Sequence, residues 1–197
     1  MIKNIILDVG GVLFDDNKQK FTKILNMDIE EVTRICDIAF GKKFKRCMLG
    51  EISIIEYIKE FESNTDYELL KYVLDPKYYD VTFPIIKDTV SYIYKLKDKG
   101  YKLYLLTNIT NGSYDYINKT LNINELFDGG VYSFKEHMIK PNKDFYNLLL
   151  ERYNLNKDEC IFFDDIEKNV NAGNEIGIKS VKYNSIEDIK NMVEVFE

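Results

Sequence analysis

The chain has 197 residues, of which 45% are hydrophobic, 14% aromatic and 30% charged, the composition of a globular protein with a sizeable core and not of a disordered segment. Its formal charge of −6 repels polyanions, so neither a nucleic acid nor an anionic membrane surface is expected as a partner. No apolar run approaches the ~20 residues of a membrane-spanning helix, and the opening MIKNIILDVGG meets an aspartate where a secretory signal would carry a small-residue cleavage site; a cytoplasmic location is expected.

The first element is a buried strand, IKNIIL at 2–7, rich in β-branched residues and closed by Gly10 and Gly11. From residue 17 to about 80 no buried strand occurs. There DIEEVTRICDIAF and SIIEYIKEFES repeat apolar residues at helical spacing, which predicts a helical insertion over the carboxyl end of the first strand. Within it, GKKFKRC at 41–47 reads as a solvated helix end or loop. Ile86, Val90, Ile93, Tyr94 and Leu96 predict a helix over 85–99, stopped by Gly100. Strands follow at YKLYLL (101–106), at the weaker GGVYS (129–133), at CIFF (160–163) and at IKSVKY (178–183), with helices over 143–153 and 167–176. Strands alternating with helices make βαβ units, so the fold class is α/β, a doubly wound parallel sheet of five strands. Cys36, Cys47 and Cys160 match no zinc or redox spacing and read as reduced, small hydrophobes.

Open α/β sheets bind ligands beyond the carboxyl ends of their strands. At those ends the sequence places Asp8 with Gly10 and Gly11, then Thr107 and Asn108, then Lys140 before a proline, then Asp164 and Asp165. Singly, each serves as a turn, a loop or a helix cap. Together, a carboxylate, a hydroxyl with an amide, an ammonium and a second carboxylate pair in one loop layer make a site for a divalent cation and a phosphoryl group.

The ordered stretches LDVGGVLFD, LLTN, MIKP and FFDDIEKN resemble the four motifs of the haloacid dehalogenase superfamily, and GEIS at 50–53 is similar to a cap turn in one of its branches. The resemblance implies a Rossmann-like core over residues 1–16 and 81–197, with a small helical cap over 17–80. It implies an aspartyl-phosphate intermediate on Asp8 and Mg²⁺ as cofactor, with a small phosphorylated metabolite as substrate. Thr107 and the Asn108 backbone would bind the phosphoryl oxygens, and Lys140 would neutralise the nucleophile and the developing charge. Asp8, the Gly10 carbonyl and Asp165 would hold the metal, Asp164 would act through water, and Asn169 would hold Lys140 or a water. Oligomeric state is left open.

The phosphatase pattern of this family has a second aspartate two residues after the nucleophile, to protonate the leaving group; this chain has Gly10. Loss of a general acid typically slows a reaction about 10²- to 10⁴-fold. Three readings stand. One is a phosphatase resembling the sugar-1-phosphate branch, where glycine occupies this position and an acidic leaving group suits it. The others are a dehalogenase, whose halide needs no proton, and a catalytically silent phosphate-binding module. His137, three residues before Lys140, is a candidate substitute acid, and Asp15 and Asp16 are expected to face the cap.

Overall fold

The computed structural model describes residues 1–194. Five parallel strands, β1 (Asn4–Leu7), β2 (Lys102–Thr107), β3 (Gly129–Tyr132), β4 (Cys160–Asp164) and β5 (Lys179–Lys182), form one sheet in the order β3-β2-β1-β4-β5. The expected strands are all present, shifted by one or two residues at their ends. Strand β1 lies at the centre, with Ile5 opposite both Leu103 and Ile161. The chain turns to one side of β1 for β2 and β3 and to the other for β4 and β5, which makes the tip of β1 the switch point of the sheet.

Strand side chains alternate, and here both faces are buried. Ile5 and Leu7 join the helices α7 (Lys87–Asp98), α8 (Asn111–Leu121), α9 (Ile123–Leu126) and α13 (Ile186–Glu194) in one apolar cluster. Ile6 and Phe162 point to the opposite face, against Phe145, Tyr146 and Leu149 of α11 (Lys143–Arg152) and Ala172 of α12 (Glu167–Glu175). Each such side chain removed from water contributes roughly 1.5–3 kcal/mol. A one-residue slip would exchange the two faces, so the pattern fixes the register that brings the strand tips level. Helix α8 is additional to the helices expected from the sequence, and Asn111-Gly112 at its start is a pair common in turns. Thr110 overrides that signal by accepting the N–H of Ser113 at 3.2 Å and capping the helix.

The segment between β1 and α7 is helical: α1 (Lys20–Leu25), α2 (Ile29–Ala39), α3 (Lys45–Met48), α4 (Ile54–Lys59), α5 (Tyr67–Leu74) and α6 (Tyr79–Thr82). Phe21, Ile35, Tyr57, Leu70 and Val73 form a cluster separate from those on the sheet. Ser53, the last residue of GEIS, starts α4 with a reciprocal cap: its hydroxyl accepts the Glu56 N–H at 3.1 Å, and the Glu56 carboxylate accepts the Ser53 N–H at 2.8 Å. The chain leaves and re-enters the sheet layer through two adjacent antiparallel stretches, where the Asp15 N–H donates to the Pro84 carbonyl and that of Ile86 to the Leu13 carbonyl, both at 2.8 Å. The cysteines are free and buried, as expected of small hydrophobes. Among the described residues no helix is long and apolar enough to cross a membrane.

Candidate active site

Strand β1 ends in Asp8, whose N–H donates to the Phe163 carbonyl at 3.0 Å, which keeps the aspartate in line with β4. The chain then folds back, with Leu13 and Phe14 both donating to the Val9 carbonyl and Gly11 donating to the Phe14 carbonyl. Two glycines permit this turn, each for its own reason. Gly11 has φ +70°, and a Cβ on it would lie 2.5 Å from Cγ of Asp165. A Cβ on Gly10 would lie 2.8 Å from Oδ2 of Asp16. The carboxylate beside position 10 is therefore supplied by Asp16.

Asp16 was expected to face the helical segment; it lines the cavity that this segment shares with Asp8, and so comes closer to the strand tip than its sequence position suggests. This placement depends on the tight fold-back of residues 9–14, which carries no periodic signal in the sequence. His137 corrects an expectation. Its Nδ1 sits 2.7 Å from the Leu49 carbonyl, where it ties the loop after α10 (Ser133–Glu136) to the helical segment, and the residue does not line the cavity.

Lys140 is 1% exposed, and its Nζ lies 2.8 Å from Oδ1 of Asp8 and 2.6 Å from Oδ2 of Asp164. Its backbone is clamped from β2: the Asn108 side chain accepts the Lys140 N–H at 2.8 Å and donates to the Lys140 carbonyl at 3.1 Å. Asn108 thus positions the ammonium, a role for its side chain that the motif alone did not reveal. Asp164 is held in turn by the Ile166 N–H at 2.8 Å and by the Asn169 amide at 3.0 and 3.1 Å. Asn169 therefore braces Asp164, and of the two expected partners, Lys140 or a water, it makes no hydrogen bond to Lys140. The ionised carboxylate accepts hydrogen bonds only, so the Asn169 NH₂ turns to Asp164 and its Oδ1 is left buried without a partner.

The expected residues Asp8, Gly10, Thr107, Asn108, Asp165 and Asn169 line one cavity of about 370 Å³. Lys140 and Asp164 stand behind it as the ion pair that holds Asp8. Carboxylate oxygens of Asp8, Asp164 and Asp165 lie within 4.8 Å of one another. One ammonium among these acids leaves an excess of negative charge. Burial, opposed by Lys140 and reinforced by Asp164, pushes Asp8 up to about 7. Burial together with Asp16 and Asp164 raises Asp165 to about 6. For Lys140, burial works against the charge, but the two carboxylates outweigh it and hold the ammonium above the ordinary lysine value. Hard carboxylate donors in charge excess, with an unpartnered amide oxygen nearby, suit a hydrated divalent cation, which would return the acids to their ionised forms.

Residues 2–177 match the haloacid dehalogenase-like hydrolases. The chain belongs to that family. Its similarities within and around the family are broad. It is 26% identical to a glyceraldehyde 3-phosphate phosphatase of Methanocaldococcus jannaschii, over 95% of this chain and 90% of the relative. It is 27% identical to a sesquiterpene phosphatase of Aspergillus oryzae, over 89% and 87% of the two chains. A HAD family enzyme of Bacteroides thetaiotaomicron, crystallised with magnesium and inorganic phosphate, shares the fold with a TM-score of 0.70 at 22% identity, over 98% and 99% of the chains.

Proposed function

We propose that this haloacid dehalogenase-like hydrolase is a Mg²⁺-dependent phosphatase that removes phosphate from a small metabolite through an aspartyl-phosphate on Asp8. The observation that carries the reading is the convergence of Asp8, Asp164 and Asp165 around a single buried ammonium, beside the hydroxyl of Thr107. The phosphatase relatives, and the magnesium and phosphate held by the Bacteroides enzyme, support it.

One Asp8 carboxylate oxygen attacks phosphorus, forming an O–P bond as the bond from phosphorus to the leaving oxygen breaks. Water then attacks the same phosphorus, releasing phosphate and restoring Asp8. Thr107 and the Asn108 N–H donate to the phosphoryl oxygens. Lys140 fixes the attacking carboxylate and offsets charge that builds on the phosphoryl group. Asp8, the Gly10 carbonyl and Asp165 would hold Mg²⁺, with Asp164 acting through water, and the ion would supply a further positive charge at the phosphoryl group. The helical segment over 17–80 acts as the cap that covers the reacting groups.

Gly10 brings no carboxyl to the leaving oxygen. Substrates whose leaving oxygen is acidic suffer least from this; by that criterion alone a sugar 1-phosphate, with its anomeric hydroxyl, and an aryl phosphate both qualify. The test is Mg²⁺-dependent phosphate release by the wild type and by Asp8→Asn. Loss of the nucleophile should reduce release by about 10³-fold or more. Equal rates in the two proteins would end the proposal, and absence of phosphate release together with Mg²⁺-independent halide release from a 2-haloacid would favour a dehalogenase-type reaction instead.

A further inference from the structure

The cavity over Asp8 has a second wall, and its chemistry is the opposite of the first. Phe21, Phe40, Phe44, Met48 and Val73 from the helical segment, with Phe83 from the return stretch, line it. Phe44 lies inside the basic run at 41–47: Lys42, Lys43 and Lys45 are exposed, while the ring turns inwards to line the cavity.

Of the uncharged polar side chains in the same lining, Thr107, Asn108 and Asn169 belong to the strand-tip site described above, and the others are already engaged. The Thr82 hydroxyl donates to the Tyr78 carbonyl at 3.2 Å, and the Tyr79 hydroxyl donates to that of Leu74 at 3.1 Å. Thr110 and Ser113 share a hydrogen bond of 3.0 Å with each other. The charged side chains Asp16, Lys18 and Lys168 are exposed and remain in contact with water. A polyol placed against the apolar wall would lose hydration from several hydroxyls and find few groups to replace it. A hydrocarbon would lose nothing comparable.

We infer that the group esterified to phosphate is a compact hydrocarbon, an arylmethyl or aryl alcohol, and not a polyol; the inference rests on the phosphatase reading above. A volume of about 370 Å³ is at the small end for ligand pockets, enough for a phosphoryl group and one or two rings. An aryl leaving group also suits Gly10, because phenolate departs without being protonated. The reaction balances as phosphomonoester plus water giving alcohol plus phosphate, with Asp8 regenerated.

Benzyl phosphate and glucose 6-phosphate are both primary esters, so comparing them separates the wall from leaving-group acidity. Each methylene buried from water favours binding about fourfold, so even a partly buried ring predicts kcat/KM about 100-fold higher for benzyl phosphate. Calorimetric titration of the Mg²⁺-loaded chain with benzylphosphonate, which cannot be hydrolysed, provides a readout without turnover. It should show binding with a negative heat-capacity change. Phe44→Ala should weaken that binding about tenfold, as should Met48→Gln, which keeps nearly the same volume and guards against misfolding of the first variant. Glucose 6-phosphate or glucose 1-phosphate turned over as well as benzyl phosphate would overturn the inference, as would benzylphosphonate affinity unchanged in both variants. Acetyl phosphate carries no bulky group and reports the phosphoryl chemistry alone. No release from it or from any ester would sink the phosphatase reading, while the titration would still decide the pocket.

Discussion

The strand tips and the helical segment face the same cavity with contrasting construction. At the tips, Asp8, Lys140, Asp164, Asn108 and Asn169 hold one another through bonds of 2.6 to 3.1 Å, and removing any one leaves a buried polar group exposed to its neighbours' charge. In the helical segment the wall is made of side chains that hold nothing by direction, only by contact. On the proposed reading the difference divides the labour: the rigid polar half would fix what is done to phosphorus, and the apolar half would set what the phosphorus is attached to. Substitutions in the first half should therefore affect stability and chemistry together, while those in the second should change selectivity.

The largest effect that sharpens this contrast is expected from Lys140→Ala. With both Asp8 and Asp164 buried beside the missing ammonium, the variant should lose about 3–5 kcal/mol of stability in denaturant titration, part of it recovered by added Mg²⁺. A loss under about 1 kcal/mol would mean that the polar half is looser than its geometry implies. Next comes Gly10→Asp, which places a side chain where Asp16 already sits, 2.8 Å from the added Cβ. Phosphate release should fall about tenfold, through crowding and like charge, and recover when Asp16→Ala is combined with it. Failure of the double variant to recover would break the steric account. The smallest effect is in pH. Burial raises Asp8 from 3.8 to about 7, so the metal-free fold retains a proton that the unfolded chain releases. This contribution is full below about pH 4 and is lost as pH rises through 7. Between about pH 5 and 8 the Tm of metal-free wild type should fall more steeply than that of Asp8→Asn. Parallel curves would contradict it.

The sheet and the convergence of the candidate site were legible in the sequence because strands buried on both faces make continuous apolar runs, and the residues just past the carboxyl end of each run must lie at one edge. Asp8, Thr107, Lys140 and Asp165 needed no more than that. The features that were not legible depend on single turns. Asp16 reaches Gly10 only through the fold-back of residues 9–14, and His137 reaches Leu49 only because two distant loops meet. The preference of Asn169 for Asp164 over Lys140 is a choice between neighbours a few ångströms apart, which spacing along the chain does not encode. Phe44 illustrates the same limit: a basic run reads as solvated, and three of its lysines are, yet the one aromatic residue among them lines the cavity.

The covalent step can be observed directly by mixing the Mg²⁺-loaded enzyme with excess benzyl phosphate, quenching with acid within one turnover, and mapping the peptides by mass spectrometry. A phosphoryl group on Asp8, absent from the Asp8→Asn protein, is the predicted result. Turnover with Asp8 unmodified at every quench time, or with the phosphoryl group on another side chain, would contradict it.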